Sequence, residues 1–189
     1  AITFSQKVIS AGYSLKPNYE ELFLADNNVN NNEVILSLNY DGVQTRSYAG
    51  TTFLIASSYN GNTQSTYNVN YGLPGGGWGG NRTRLQLTEK FDSADKRRLF
   101  VGDEPSVTDL KDFETGLATY KWRNITSKGL EGSNSTYADT DFPLFRLAEM
   151  YLIYAESVLR GGAGGSQAQA LTYMNTIRER AFGNSQHNY

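Results

Sequence analysis

The 189-residue sequence has no cysteine, which excludes disulfide scaffolds, thiolate zinc sites and thiol nucleophiles. Its single histidine, His187, leaves no second imidazole for a zinc site and no carboxylate–serine context for a triad. Charge is scarce as well: 19% of residues are charged and the net charge is −2. No basic face of the size that nucleic acid requires can be assembled, and no run of like charges forms an interaction tail. No apolar run approaches the ~20 residues that cross a bilayer as a helix. The chain reads as soluble, with any export signal or lipid anchor expected upstream of Ala1. Aromatics, by contrast, reach 13%, with 13 tyrosines and 2 tryptophans, set among asparagine, threonine, serine and glycine. That balance suits surfaces that meet neutral polar ligands or other protein. The length fits one domain with a real core.

Along the chain, Ala1 to about Ala11 has helical spacing, with Phe4, Val8 and Ala11 on one face and Gly12 as a stop. That face has no sequence neighbour to pack on. Asn18–Leu24 predicts one or two helical turns, and Asp26–Asn32 is loop chemistry. Alternating Val34, Leu36, Leu38 and Tyr40 predict a strand. Residues 41 to about 84 show no sustained helical period and end in the glycine-rich stretch Gly72–Asn81. A short helix is predicted at Leu85–Phe91 and a strand at Lys121–Arg123, with 101–141 otherwise irregular.

The strongest pattern is last. After Phe142-Pro143, residues Leu144, Leu147, Ala148, Tyr151, Leu152, Ala155 and Leu159 follow the 3–4 spacing of a buried stripe. Proline fits a first helical turn, where its missing N–H costs nothing. Gly161–Gly165 ends this helix, and Ser166 with Gln169 opens another by a capping-box pattern. The second stripe is Ala170, Leu171, Met174, Ile177 and Ala181. An antiparallel hairpin over 143–182 is expected, about the length of one tetratricopeptide-type repeat. The fold class is thus mainly α, with extensive irregular loops and a few short strands, in one region spanning 1–189. Residues 41–141 would form its loop-rich ligand face.

Trp78 stands in the glycine-flanked loop beside Asn81 and Arg82. A flat indole offers apolar area to a sugar ring, while amide and guanidinium donors meet hydroxyls. Tyr67 and Tyr71, with Tyr48 and Tyr59, share the segment and are candidates for the same surface. The competing reading makes Trp78 a plug onto the core and each tyrosine a packing residue. Trp122 reads as core. Glu149 and Glu156 lie two turns apart on one helix, roughly 10 Å by helical rise, at the wide edge of inverting-glycosidase geometry. A packed hairpin rich in arginine favours structural ion pairs between its helices instead. His187 is expected in a frayed tail. Asp26–Glu33 matches a calcium loop in composition only, since Asn31 and Ser37 stand where an EF-hand needs glycine and glutamate. The Asn-x-Thr sequons at Asn81, Asn124 and Asn134 arise by chance in such a composition. No metal or cofactor is implied.

The stretches Phe145-Arg146-Leu147-Ala148-Glu149-Met150-Tyr151-Leu152-Ile153-Tyr154-Ala155-Glu156 and Ala170–Ala181 resemble the C-terminal helix hairpin of the SusD/RagB family. Val8–Leu15, Tyr19–Glu33 and Phe91 with Asp95 and Arg97 are similar to that family in order and kind. The resemblance implies a glycan-binding, non-enzymatic protein of Bacteroidetes, lipid-anchored on the cell-surface side of the outer membrane. It would hold an oligosaccharide or polysaccharide for a SusC-like TonB-dependent transporter. The alternative is a scaffold that docks the transporter without binding ligand, and a third reading is a glycoside hydrolase fragment.

Overall fold

Proline at position 143 decides where the longest apolar stripe becomes helical. It restricts Phe142 to extended backbone, and Phe142–Arg146 forms a strand, β4, paired with strand β1 at Val34–Leu38. Helix α5 therefore starts at Leu147, not at Pro143 as the spacing predicts, and runs to Leu159. Leu144 leaves the stripe and is exposed on the strand. Helix α6 spans Gln167–Phe182, with Ser166 Oγ accepting from the Gln169 N–H at 3.1 Å.

The computed structural model describes residues 1–112 and 115–189, which divide into two units. The first unit comprises Ala1–Tyr19, Asn30–Ser37 and Pro143–Tyr189. Its α5 and α6 pack as an antiparallel hairpin, as expected: Tyr151 stacks on Tyr173 at 4.5 Å, and the Ser166 N–H donates to Tyr154 Oη at 3.0 Å. Leu147, Tyr154, Ala155, Ala170 and Ile177 are buried, each large one contributing about 1.5–3 kcal/mol. Met174 packs beside them, whereas Leu171, expected in the contact, is exposed.

Helix α1, Ile2–Ile9, lies on α5. The face it buries is Ile2 and Ser5 with part of Ile9; of the predicted face, Val8 is partly buried, Ala11 is exposed and Phe4 is 71% exposed. Both faces satisfy helical spacing, so hydropathy alone could not choose, and the branched Ile2 fits the gap beside Tyr154 and Ala155. The final residues are held too, and His187 is not in a frayed tail. Its ring stacks on Phe182 at 3.8 Å, its carbonyl accepts from Arg178 Nε, and the Arg178 guanidinium lies over Tyr189.

Glu33 anchors this unit from a fully buried position. Its carboxylate accepts from Arg146 at 2.8 Å, from Arg180 and from the Lys16 N–H at 2.7 Å, while its carbonyl receives the Leu147 N–H that opens α5. The expected ion pairs between the two helices are replaced by this arrangement, with both arginines turned to Glu33. Glu156 instead pairs with Arg160 one turn along the same helix.

The second unit comprises Glu20–Val29 and Leu38–Phe142. A single-turn 3-10 segment, Tyr19–Phe23, leads into it as predicted. Two helices appear where no helical period was legible: α2 at Gly50–Ala56 and α3 at Gly61–Tyr67. Each is only two turns long. Helix α3 forms through its cap, Asn60 accepting from the Thr63 N–H while Thr63 Oγ1 accepts from the Asn60 N–H. A one-turn helix α4, Leu85–Thr88, is shorter than predicted. Strands β2, Phe100–Val101, and β3, Ala118–Thr119, pair antiparallel. The strand expected at Lys121–Arg123 is absent because the chain leaves the ladder at Tyr120, and the Arg123 N–H turns to the Phe23 carbonyl. Trp122 is core as expected, stacked on Phe142 and edge-on to Phe23. The main core is Ile55, Ala56, Tyr59, Tyr71, Leu73 and Ala138. Asn124, fully buried, pins loops by donating to Gly72 O and accepting from the Asp139 N–H.

Candidate functional site

The candidate site is built on the C-terminal end of α2. A helix leaves its last carbonyls without intrahelical partners, and the stretch after Gly77 supplies them. The Trp78 N–H donates to Ala56 O, the Asn81 N–H to Ser57 O at 2.9 Å, and the Gly79 N–H to Tyr59 O at 2.8 Å. Gly77 is required for this approach, since a Cβ there would sit 2.1 Å from the Tyr59 carbonyl oxygen. The glycine-rich stretch is therefore a fixed strap, and it fixes Trp78.

Trp78 is 46% exposed and belongs to a group of rings. Its centroid lies 5.7 Å from Tyr48 and 6.2 Å from Phe53, while Tyr48 lies 5.1 Å from Tyr137. Tyr48 and Phe53 are also exposed, at 58% and 44%. Phe53 points outward because α2 turns Thr51, Thr52, Ile55 and Ala56 into the core. Neighbouring rings are tilted by 49° to 58°, so the faces follow one another around a bent surface. Tyr137 hydrogen-bonds to Tyr48, which raises its pKa above the usual phenol value, and Arg46 acts on it from nearby in the opposite sense. Grouped aromatic area left in water in this way makes this face the candidate interaction surface.

The other predicted site residues separate. Tyr71 is fully buried and cannot present a face to a ligand; it stacks on Tyr59 at 4.2 Å inside the core. Burial drives the Tyr71 pKa upward and pushes that of Tyr59 to about 12. Tyr67, Asn81 and Arg82 do come together, lining one cavity with Gly79, Gly80 and Gly116. Trp78 does not line it. The Arg82 guanidinium is engaged by carbonyls, at 3.1 Å to Asp109, 3.3 Å to Leu110 and 3.0 Å to Thr115, and so ties down a loop. Asn81 Nδ2 donates to Ser57 Oγ at 2.7 Å. Phe53 and Tyr137 escaped the sequence reading. Phe53 would have been found only by recognising α2, and nothing local marks Tyr137.

Among the described residues no group of histidine, aspartate and glutamate could hold a metal. Asp26 instead accepts from the Ser127 N–H and hydroxyl, and Glu33 is spent on its arginines. Glu149 and Glu156 lie on the hairpin of the first unit, outside the aromatic face and the cavity.

Residues 107–186 match the family model described as the SusD family. The sequence is 31% identical to the starch-binding protein SusD of Bacteroides thetaiotaomicron, in an alignment covering 94% of this chain and 40% of that protein. Among solved structures, a SusD superfamily protein from Parabacteroides distasonis superposes with a TM-score of 0.68 at 22% identity, over 100% of this chain and 39% of that one. The surface glycan-binding protein A from Bacteroides thetaiotaomicron, in complex with laminarihexaose, gives a TM-score of 0.63 at 21% identity, over 100% and 43%. The chain thus spans about two-fifths of the length of the relatives it matches.

Proposed function

Because this chain belongs to the SusD/RagB family, we propose that it captures a neutral glycan on the exposed rings of Tyr48, Phe53 and Trp78. The observation that carries this reading is the aromatic face itself: three large exposed rings, with Trp78 held on a strap tied by backbone hydrogen bonds to the end of α2. Sugar rings have apolar faces that stack on aromatic ones, and their hydroxyls take hydrogen bonds from surrounding polar groups. The kinship with proteins named for starch and glycan binding supports the same reading. Those relatives are named with different glycans, so their names do not choose among linkages.

The role that follows is capture, not cleavage. It would take place on the outer surface of a bacterial outer membrane, with a SusC-like TonB-dependent transporter as partner and a lipid anchor as the membrane link. Water competes for each uncharged hydrogen bond, which limits the net gain to about 1 kcal/mol apiece. Affinity is expected on the order of 10 µM to 1 mM, and it should change little with salt because no ion pair carries it.

The test is calorimetry with maltohexaose, cellohexaose and laminarihexaose against the wild type and Trp78→Ala. At least one hexaose should bind, tenfold or more weakly to the variant, and the mixtures should release no new reducing ends. A folded Trp78→Ala protein with unchanged affinity would return Trp78 to a packing role and leave the chain a scaffold.

A further inference from the structure

The strap that holds Trp78 outward turns inward within three residues. Its next residues, Gly79 to Arg82, line the cavity with Tyr67 and Ala118. This cavity encloses about 370 Å³ counting its open mouth, and the space within it that a water-sized group can occupy is small. The hydrogen-bonding groups at its wall are partly engaged: the Arg82 guanidinium donates to backbone carbonyls, and the Tyr67 hydroxyl donates to Asp103 at 3.0 Å. Asn81, also in the lining, gives its amide nitrogen to Ser57 and keeps a neutral side-chain oxygen as acceptor.

We propose that this cavity is a specificity pocket for the exocyclic hydroxymethyl group of the sugar next to the one stacked on Trp78. The protein then prefers hexopyranose glycans to those lacking a hydroxyl at that carbon. The inference rests on the aromatic-face reading above. Size supports it, since the free space suits a small substituent and not a sugar ring. Polarity supports it, since a hydroxymethyl group both donates and accepts. Reach supports it as well: Trp78 and Asn81 are three residues apart, so their Cα atoms lie within roughly 11 Å, close enough for one short oligosaccharide to touch both. The hydrogen bonds of Trp78, Gly79 and Asn81 to the end of α2 fix ring and pocket in one register, so little ordering remains to be done on binding. A site shaped for a hydroxyl discriminates against the analogue without it, because its own polar groups are left unpaired.

The test compares the tightest-binding hexaose with its 6-deoxy counterpart by calorimetry on the full chain. The wild type should favour the parent sugar about tenfold. Ala118→Leu, which fills the cavity, should lower affinity for the parent by a similar factor and leave the 6-deoxy sugar unchanged. Asn81→Ala, at an exposed position, should give the same pattern if Ala118→Leu fails to fold. Trp78→Ala should weaken both sugars alike. Equal wild-type affinity for the two sugars, or a folded pocket variant that binds the parent as the wild type does, would overturn the pocket while the aromatic face stands. Failure of every hexaose to bind, or an indifferent Trp78→Ala, would overturn the face and the pocket with it.

Discussion

Replacing Glu33 by glutamine changes almost no volume, yet it removes the charge on which two arginines converge. The glutamine keeps one acceptor oxygen and presents N–H groups where the second carboxylate oxygen stood, donor against donor. The two arginines do not suffer equally. The Arg146 side chain is 22% exposed and can turn to water, whereas that of Arg180 is only 7% exposed. Burial lowers the Arg180 pKa, and Glu33 is the chief influence pulling it back. Breaking a buried pair by removing one partner costs about 3–5 kcal/mol. Arg180 retains the Tyr19 ring at 5.6 Å and a long contact to Lys16 O, which places Glu33→Gln near the lower end, about 3 kcal/mol. With a urea slope of about 1–3 kcal/mol per molar, the midpoint should fall by about 1–3 M. Far-UV circular dichroism follows this through α5 and α6, and fluorescence of Trp78 and Trp122 reports the second unit separately. Replacing Glu33, Arg146 and Arg180 together by methionine should recover most of the loss, since an apolar cluster leaves no charge uncompensated. A Glu33→Gln unfolding free energy within about 0.5 kcal/mol of wild type would refute the reasoning.

Two further outcomes are expected. Tyr71→Phe removes a buried hydroxyl that has no partner among the described residues and keeps the stack on Tyr59. Thermal melts should show it as stable as wild type or up to about 1 kcal/mol more so, and a marked loss would mean the hydroxyl is bonded. Its glycan affinity should be unchanged, because the ring never reaches the surface. Burial holds the Asp141 carboxyl above its ordinary value of 3.8, against the pull of the Tyr40 N–H. The folded state therefore binds that proton more tightly than the unfolded chain, so its contribution to stability falls as pH rises from 3.8 through the raised value. Asp141→Asn keeps an acceptor for Tyr40 and should lose that fall; melts from pH 3 to pH 7 showing the same decline in the variant would exclude Asp141 as its source.

The parts of the fold legible in the sequence were those with long, strong periods. The stripe from Leu147 to Leu159 announced α5, and Ser166 announced α6. The misplaced start came from treating Pro143 as a first-turn residue when its restriction of Phe142 makes the neighbouring backbone extended. Helices α2 and α3 were invisible because two turns give hydropathy too few repeats, and α3 is held by a polar cap with no apolar face. For the site, Trp78 stood out by its glycine setting, but nothing local distinguishes the buried Tyr71 from the exposed Tyr48. Burial there is decided by partners far along the chain, as Asn124 and Gly72 illustrate. Glu33 shows the same limit: its partners lie 113 and 147 residues away, beyond any local pattern.

Those separations also set a timetable. During synthesis at roughly 5–20 residues per second, Arg180 follows Glu33 by roughly 7–30 s. Every segment of the second unit has been made before Pro143 appears, because that unit ends at Phe142. The first unit has stretches on both sides of the second in sequence, so its earlier stretches must wait for those after Phe142. Until then Glu33 stays hydrated, α1 has no α5 to lie on, and β1 is a lone strand with its edge unprotected. The unit that carries the aromatic rings can thus form co-translationally, while the helical unit closes afterwards. Destabilising substitutions in α6 should therefore act first on yield and on aggregation of newly made protein, before any change in the shape of the ring surface.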